Sequence, residues 1–561
     1  MKKTVSLLLV LTMVMTMFLG VTAVAEEKPL MTIEIYDVAA NYQGIQPGWF
    51  GKVVKDKFNL ELNIIAPQVA GDQTALYQTR SASGALGDII ILENKDMKDC
   101  VEAGLIKEIT GALPNYANIN GFSEQIAALN ATIPNNADGK IYAIPCQMTN
   151  TSPTTYSEDA IYTSPMVPWD YFKEIGTPEL NNLSDLIDAL AAMQKAHPTN
   201  KDGDPVYTVS LWPDWDSNYM ENVAQLTPWY GQQTKDSLLI SADGTMVPLT
   251  DDNGAYYKML HFLFDLNQRG LVDPDSGTQN WENIVTKLSS KRVLLMWYSW
   301  QRGFYNTADR ANNSDAYIFA PVKDLMTCNN SDNYYGSDRS FSVGSQVDDV
   351  KFARIMEFLD WYASPEGLTY QHAGLPGFSY TVNADGTYTQ TTDGENALMQ
   401  NLTVPDEFGG GGYKDGNNAI NQWIVEGIST NPVTGESYVP NYWKTTIQKN
   451  QTTMTKEWTE KYGGENQVKY LLDKGMLTVI PSVSVNLASD TTDIGLIRSQ
   501  CGQLVKNTSW QMIFAKDEAE FAAMWQDLKT QLDGFGYQDL VKFDMEKYQP
   551  LVDARLAAMK K

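Results

Sequence analysis

The chain has 561 residues, of which 43% are hydrophobic, and its formal net charge is −26 at pH 7. A chain of that length is too long for one hydrophobic core, so at least two lobes are expected. Its apolar content excludes a largely disordered protein. Its strong negative charge argues against nucleic acid and anionic membrane surfaces as partners.

The N-terminus has the pattern of an export signal. Lys2 and Lys3 precede an apolar run over residues 5–19, and the small-residue sequence AVA follows at 23–25. This pattern predicts a signal peptide over residues 1–25, cleaved to leave the mature protein outside the cytoplasm, in the periplasm or at the cell surface. An uncleaved anchor helix is the alternative. No cysteine stands directly after the cleavage site, so a lipid anchor is not expected.

Cysteine and histidine are scarce. Export permits disulfides, but the spacing of Cys100, Cys146, Cys328 and Cys501 is irregular and does not choose among the possible pairings. The three histidines lie far apart in the sequence. A histidine-based metal site and a Ser-His-Asp triad therefore have little support.

The first third of the chain alternates strand and helix patterns. In chain order, "LMTIEIYDVAA" predicts a strand, "GWFGKVVKDKF" a helix, "LELNIIAP" a second strand and "GDIIILE" a buried third strand. "CVEAGLIKEIT" then predicts a short amphipathic turn. This order indicates a partly parallel sheet covered by helices.

Helix patterns dominate the middle and the end. "NLSDLIDALAAMQKAHP" has Asn182 as its predicted N-cap, and further helices are predicted at "NGAYYKMLHFLFDLNQRG" and "DDVKFARIMEFLDWYASPEG". A C-terminal helical pair is predicted at "DEAEFAAMWQDLKTQLDGFG" and "YQDLVKFDMEKYQPLVDARL". Between the second and third of these helix patterns, "KRVLLMWYSWQRGFYN" predicts a strand that finishes over residues 293–297. Residues 298–302 then follow its carboxyl end.

Six segments in a fixed order resemble a known family. They are "DGKIYAIPCQ", "WDYFKEIGTPELNNLSDLIDALAAMQKAHP", "LNQRGLVDPDS", "KLSSKRVLLMWYSW", "ASPEGLTYQHAGLPGFSYTV" and "SWQMIFAKDEAEFAAMWQDLKTQLDGFGYQDLVKF". They are similar to segments of the extracellular solute-binding proteins of ABC importers, in the carbohydrate-binding branch. The larger members of that branch include oligosaccharide and alginate binders.

The resemblance implies an α/β, two-lobed periplasmic-binding-protein fold, with each lobe a mixed sheet flanked by helices and joined by crossing hinge strands. Lobe 1 would comprise residues 26–147 and about 321–400, and lobe 2 residues 148–320 and about 401–561 with the C-terminal helices. A ligand would bind in the cleft between them, and a hinge motion would close it. The resemblance also implies a monomer without catalytic residues or a required cofactor, which delivers an oligosaccharide to ABC transporter permease subunits.

A sugar site needs flat rings for the apolar faces of the sugar and planar polar groups for its hydroxyls. The segments "LWPDWDSNYMENVAQLTPWYGQ" and "WYSWQR" combine both. The ligand-binding candidates there are Trp212, Trp215, Trp229, Trp297, Trp300 and Arg302. Of these, the resemblance favours Trp300, since maltose-type binders have a stacking aromatic at that place, whereas Trp297 lies within the apolar run, where a core residue is the favoured interpretation.

Loops that follow predicted strands supply further candidates, because ligands of open α/β sheets bind at the carboxyl ends of strands. These candidates are Asn41, Tyr42, Glu93, Asn94, Gln147, Asn150, Tyr334, Tyr335 and Asp338. For each of them, a solvated loop residue is the alternative interpretation.

The loop "TNKDGDPVYT" is a weak calcium candidate. Asn200, Asp202 and Asp204 place oxygen side chains at alternate positions, as large family members do. Pro205 stands where a calcium loop needs glycine, and Leu211 where it needs glutamate, so a plain polar turn is favoured.

Two other functions remain open. An exported glycoside hydrolase or polysaccharide lyase would share the aromatic residues but needs two placed carboxylates. Asp214 with Asp216, or Glu93 with another acid, could serve, although nothing in the sequence singles out a pair. A peptide-type solute-binding protein would bind through backbone pairing and would have little need for exposed tryptophan.

Overall fold

The computed structural model describes residues 28–70, 73–136, 138–449 and 451–560. The predicted signal peptide therefore lies outside the described residues. Within those ranges, no helix is both long enough and apolar enough to cross a bilayer. The chain divides into two compact units, the first comprising residues 28–107, 342–361 and 392–422, and the second the remaining described residues.

Unit 1 is an α/β unit. Its strands lie in the order Gly44–Ile45, Leu60–Ile65, Met31–Asp37 and Ile89–Glu93. The strand Met31–Asp37 runs parallel to both of its neighbours, and Ile35 pairs with Ile64 on one side and Ile89 on the other. Its helices are Gly48–Phe58, Pro67–Ala70, Gln73–Ala82, Asn94–Glu102 and Thr392–Gln400, with a 3-10 turn at Asp406–Phe408. The β-α-β order predicted from the sequence is confirmed.

Two elements contain residues of both units, the strand Arg339–Val343 and the helix Asp349–Tyr362. The helix confirms the prediction made from "DDVKFARIMEFLDWYASPEG".

Unit 2 contains several small sheets among many helices. The strand Thr163–Pro168 is central in an antiparallel sheet, between Met296–Tyr298 and Tyr317–Phe319. The other pairings are an antiparallel meander of Gln232–Lys235, Leu238–Ser241 and Met246–Pro248, a parallel pair of Thr327–Asn330 and Leu477–Ile480, and a hairpin of Tyr380–Val382 and Tyr388–Gln390. The strand Ala143–Pro145 also belongs to this unit.

Unit 2 has many helices, and most of them contribute to one large core. The helices are Ala117–Asn120, Ser123–Asn130, Trp169–Glu174, Leu183–Ala196, Glu221–Ala224, Ala255–Gln268, Trp281–Ser289, Ala308–Asn312, Pro365–His372, Lys444–Lys449, Thr453–Tyr462, Gln467–Asp473, Thr492–Ile513, Glu518–Gly534 and Tyr537–Met559. The 3-10 turns are Leu113–Asn115, Thr227–Tyr230, Ser299–Phe304 and Pro440–Tyr442. The predicted helices at 183–196 and 255–268 and the C-terminal pair are confirmed.

The strand predicted to finish over residues 293–297 is shifted along the chain. The N–H groups of Leu294 and Leu295 donate to the carbonyl groups of Tyr207 and Thr208, so this part pairs with a neighbouring loop. The chain then changes partner, and the strand Met296–Tyr298 pairs with residues 163–166. Periodicity did not reveal this change, because residues 293–298 are uniformly buried.

Candidate functional site

The ends of two strands bring the two aromatic segments of unit 2 together. Tyr298, the last residue of its strand, pairs with Thr163, the first residue of the central strand. The N–H of Ser299 donates to the carbonyl oxygen of Tyr162 at 3.0 Å. The residues that leave one strand therefore lie beside the residue that enters the other.

A buried glutamine shapes the turn that follows. The Oε1 of Gln301 accepts from the N–H groups of Trp297 and Tyr298 at 3.0 and 3.1 Å. These bonds connect the end of the strand to the 3-10 turn Ser299–Phe304 that follows it. With Gln301 directed inward, Trp300 is left 38% exposed.

Eight rings form a continuous aromatic cluster, which we define as Tyr162, Trp212, Trp215, Trp281, Trp297, Tyr298, Trp300 and Phe304. Its base is buried, with Trp212 stacked on Trp297 at 5.5 Å between ring centroids and 3° between planes. Its outer layer is partly exposed. In that layer Trp300 stacks on Tyr298 at 5.0 Å, and Trp215 contacts Trp281 at 4.6 Å.

Two aspartates beside the cluster accept hydrogen bonds from neighbouring elements. The Oδ2 of Asp214 accepts from the N–H of Trp281 at 2.7 Å, where the helix Trp281–Ser289 begins. The carboxylate of Asp216 accepts from the Nε1 of Trp510 at 2.6 Å and from the N–H of Glu221 at 2.8 Å. Both aspartates thus serve as structural acceptors beside the cluster.

A polar pocket of about 580 Å³ adjoins the cluster within unit 2. Tyr162 belongs to both, because it lines the pocket and its ring lies 5.4 Å from that of Tyr298. The other lining side chains include the carboxyl groups of Glu158, Glu221, Asp332 and Glu426, the amides of Gln225, Gln233, Asn329, Asn330 and Asn333, the phenols of Tyr156 and Tyr219, and Lys235. Such a lining presents many planar hydrogen-bonding groups to one ligand.

The carboxyl groups of the pocket influence one another. Asp332 is buried and accepts hydrogen bonds from the N–H and Oγ of Ser157 at 3.0 and 2.6 Å. Loss of hydration raises the pKa of Glu158, and the neighbouring acids, among them Asp332 and Glu426, raise it further. Loss of hydration also raises the pKa of Glu426, although its hydrogen bond from Trp423 Nε1 at 3.1 Å opposes the change.

The opposite charge is sparse. Lys235 is the only basic residue among the described residues that line the pocket. Burial lowers its pKa, and the nearby charge of Arg555 lowers it further. Burial likewise raises the pKa of Glu221, with Asp216 adding to the effect. The pocket is therefore predominantly acidic.

The predicted tryptophans occupy three different environments. Trp215 and Trp300 lie in the outer layer of the cluster, at 37% and 38% exposure. Trp212 and Trp297 form its buried base. Trp229 is fully buried away from the cluster, where its ring contacts Phe262. Packing thus accounts for the buried three, and a ligand-binding role for any of the five stays a prediction.

Arg302, Gln147 and Asn150 lie around the pocket. Arg302, on the 3-10 turn, pairs with Asp159 at 3.4 Å. The backbone N–H of Gln147 donates to the carbonyl oxygen of Trp423 at 2.9 Å, and the side chain of Asn150 bonds both backbone groups of Thr430. These two residues hold the segment 423–430, which carries Glu426 into the pocket.

The other predicted residues lie outside the cluster and the pocket lining. The hydroxyls of Tyr334 and Tyr335 donate to Glu124 at 3.0 and 3.3 Å, and Asp338 pairs with Arg339 at 3.7 Å. Four candidates belong to unit 1, namely Asn41, Tyr42, Glu93 and Asn94. Glu93 is the last residue of its strand, and Asn94 begins a helix where the sequence predicted a loop position. Their part in binding stays a prediction.

The sequence analysis missed Trp281 and the four carboxyl groups of the pocket. Trp281 follows the helix cap Asn280. A tryptophan at the start of a helix, directly after a polar loop, could have identified it as a candidate. The carboxyl groups come from four distant segments, and no spacing in the sequence unites them.

The calcium candidates form a hydrogen-bonded turn. The Oδ1 of Asn200 accepts from the N–H groups of Asp202 and Asp204 at 3.0 and 2.9 Å. Among the residues that the structure describes, no three His, Cys, Asp or Glu side chains are grouped to hold a metal ion. This geometry fits the polar-turn interpretation, and calcium binding stays a prediction.

Comparisons with known proteins agree with this architecture. A family model described as "Bacterial extracellular solute-binding protein" matches residues 47–369. A search of curated proteins gave no match. Among solved structures, the S. pneumoniae ABC-transporter substrate binding protein FusA in complex with kestose is similar at 14% identity and a TM-score of 0.59, with 93% of this chain and 99% of that chain covered.

Two further structures are similar. One is an HMO-binding, ABC-transporter associated solute binding protein from Bifidobacterium longum infantis, at 15% identity and a TM-score of 0.61, covering 94% of this chain and 100% of that chain. The other is the alginate-binding protein AlgQ2 without calcium ion, at 14% identity and a TM-score of 0.56, covering 93% and 98%. The fold class expected from the sequence is confirmed.

Proposed function

The chain belongs to the bacterial extracellular solute-binding proteins, and we propose that within this family it captures an oligosaccharide and delivers it to the permease subunits of an ABC transporter. The family is extracellular, so the protein acts after export. We further propose that residues 1–25 are the cleaved export signal and that the protein works as a monomer without a cofactor. The lobe boundaries and the hinge closure expected from the sequence remain part of this proposal.

One observation carries the oligosaccharide assignment. Partly exposed rings, Trp215 and Trp300 among them, continue through Tyr298 and Tyr162 into a pocket lined by carboxyl and amide groups. Rings stack on the C–H faces of sugars, and carboxylates and amides pair with adjacent hydroxyls. A chain of sugar units could follow the rings and end in the pocket. The similar structures that bind kestose, HMO and alginate support the same ligand class.

The alternatives have less support. A peptide-type binder leaves the exposed tryptophans without a purpose. For a hydrolase or lyase, Asp214 and Asp216 hold backbone and indole N–H groups of neighbouring elements, so both carboxylates are already engaged in structure. The family and the similar structures are binding proteins.

A thermal-shift screen of the mature protein tests the proposal. Oligosaccharides are compared with oligopeptides of similar length. A ligand at 100 times its dissociation constant adds about 2.7 kcal/mol to the free energy of unfolding, which is a visible shift. We expect at least one oligosaccharide to shift the melting temperature and no peptide to do so. A peptide-only response would refute the assignment, and new reducing ends after incubation with polysaccharides would indicate an enzyme.

A further inference from the structure

We propose that the polar pocket selects uncharged oligosaccharides and rejects those that carry carboxylates. The inference rests on the proposed function and specifies its ligand. It concerns the innermost sugar unit, which would enter the pocket beyond Tyr162.

Charge is the first argument. Four carboxyl groups line the pocket against one lysine among the described lining residues. An uncharged sugar offers hydroxyl donors to these carboxylates, and a carboxylate accepts two adjacent hydroxyls well. A uronate unit carries a carboxylate in place of one hydroxyl group. Placed opposite the carboxylates of the pocket, this negative charge opposes binding.

Hydrogen bonds from the protein hold two of these carboxyl groups in the lining. Asp332 is buried, and its carboxylate already accepts hydrogen bonds from Ser157 and Thr151. Glu426 is held by the Nε1 of Trp423. These hydrogen bonds favour positions in which both carboxyl groups line the pocket.

Lys235 is the natural objection, because a lysine could receive a uronate. Lys235 ends the strand Gln232–Lys235 and lies near Arg555, which donates to the lining residue Gln233 at 3.1 Å. These two cations face four carboxyl groups of the lining. A uronate beside Lys235 would still bring its anion into a pocket of net negative charge. Arg302 is not among the lining residues, and its guanidinium pairs with Asp159 at 3.4 Å.

The test compares two ligand pools on the wild-type mature protein by calorimetry at neutral pH. One pool holds uncharged fructo-, malto-, xylo-, manno- and galacto-oligosaccharides, and the other holds oligomannuronate and oligogalacturonate of the same lengths. We expect an uncharged sugar to bind at least about tenfold more tightly than any uronate. Tighter binding of a uronate would overturn the inference while leaving the proposed function intact. No binding in either pool would overturn both.

Variants locate the selectivity. Glu158→Gln and Glu426→Gln keep the side-chain shape and remove one charge each, so each should narrow the preference by several-fold, through weaker uncharged binding and stronger uronate binding. Glu460→Gln, on the exposed side of the helix Thr453–Tyr462, is the matched control and should change neither. Uronate binding that Lys235→Met abolishes would show an anion site and contradict the inference. Circular dichroism verifies that each variant is folded.

Discussion

Trp300 is the residue that we expect to contribute most to ligand stacking. Its ring is partly exposed, stacks on Tyr298, and lies within 6.1 Å of the ring centroids of Trp215, Trp281 and Phe304. The surrounding rings fix its orientation, so little conformational freedom is lost when a ligand stacks on it. The ring of Trp300 is therefore both accessible to a ligand and held in place by its neighbours.

We therefore expect Trp300→Ala to weaken oligosaccharide binding by about 1–3 kcal/mol, the contribution of a lost stacking ring. The fold should survive, because the buried base of Trp212 and Trp297 is untouched. Calorimetry measures the affinity. Phe535→Ala removes a similarly exposed ring at the end of a C-terminal helix and serves as the control. Equal affinities for the two variants would show that Trp300 is not a contact.

Glu426 lines the pocket, and its protonation is coupled to the stability of the fold. Its pKa is raised by loss of hydration, so the folded protein binds this proton more tightly than the unfolded chain does. Ionised Glu426 therefore reduces stability at neutral pH, and stability is regained as the pH falls through the raised pKa towards the value of the unfolded chain.

Glu426→Gln should consequently raise the free energy of unfolding at neutral pH and weaken its increase on mild acidification. The glutamine Oε1 can still accept from Trp423, so the local hydrogen bond is kept. Urea unfolding at pH 7.5 and pH 5 measures both effects, with Glu460→Gln as the reference. A variant less stable than the wild type at pH 7.5 would contradict the inference that the ionised form of Glu426 destabilises the fold.

At the scale of elements, the sequence predicted helices whose apolar residues lie on one face. The helix Leu183–Ala196 begins where expected, and the side chain of Asn182 caps it by accepting from the N–H of Asp185. The longer helix Thr492–Ile513 was missed. Its buried positions include Arg498, Gly502 and Ser509, so it has no clear apolar stripe.

Close approach and polar pairing replace that stripe. A Cβ on Gly502 would lie 2.7 Å from the Cβ of Asn218, so only glycine fits there. Ser509 meets the hydroxyl of Tyr256 at 2.9 Å within the core. Periodicity detects apolar burial alone, and these contacts depend on the partner segment. The same limit hid the pocket, since its carboxyl groups meet only after folding.

The C-terminal helices are joined by a buried ion pair. Arg498 donates to both oxygens of Asp544 at 2.8 and 2.6 Å, and Asp544, on the helix Tyr537–Met559, is fully buried. The hydrogen bonds to Asp544 and Asp490 raise the pKa of Arg498 despite its burial. The pair also anchors the meander, because Asp544 accepts from the N–H and Oγ of Ser237.

Asp544→Ala should lower the free energy of unfolding by about 3–5 kcal/mol, because the buried guanidinium of Arg498 loses its fully buried partner and keeps hydrogen bonds only to Asp490. Asp553→Ala removes an exposed acid from the same helix and should change stability by less than about 0.5 kcal/mol. Chemical denaturation compares the two variants. Equal losses would mean that the ion pair contributes nothing beyond a surface charge.

At the scale of the whole molecule, the sequence predicted the family and the fold class but not the position of the polar pocket. The order of six loose motifs identified the family, because order along the chain survives when individual residues diverge. The location of the polar pocket did not follow from it, since the similar structures share only 14–15% of their residues with this chain. Family membership thus fixes the architecture, whereas the residues that line the pocket follow only from the structure of this chain.

The four cysteines are distributed over the whole chain, and the structure indicates that they are thiols. All four cysteines are buried, and the structure has no disulfide bond among the residues that it describes. The thiol of Cys100 meets the hydroxyl of Tyr77 at 3.2 Å. Burial raises the pKa of Cys328 to about 12 and that of Cys501 to about 11, which keeps both thiols in their unreactive protonated form at neutral pH.

We therefore expect the mature protein, purified without reductant, to react slowly with a thiol reagent when native and to reveal four thiols when unfolded in urea. Dithiothreitol should leave the melting temperature unchanged, because no cross-link constrains the unfolded chain. Alkylation followed by intact-mass measurement counts the thiols directly. Only two reactive thiols after unfolding, together with a lower melting temperature in dithiothreitol, would show that oxidation outside the cytoplasm joins two of these cysteines in a conformation different from the one described.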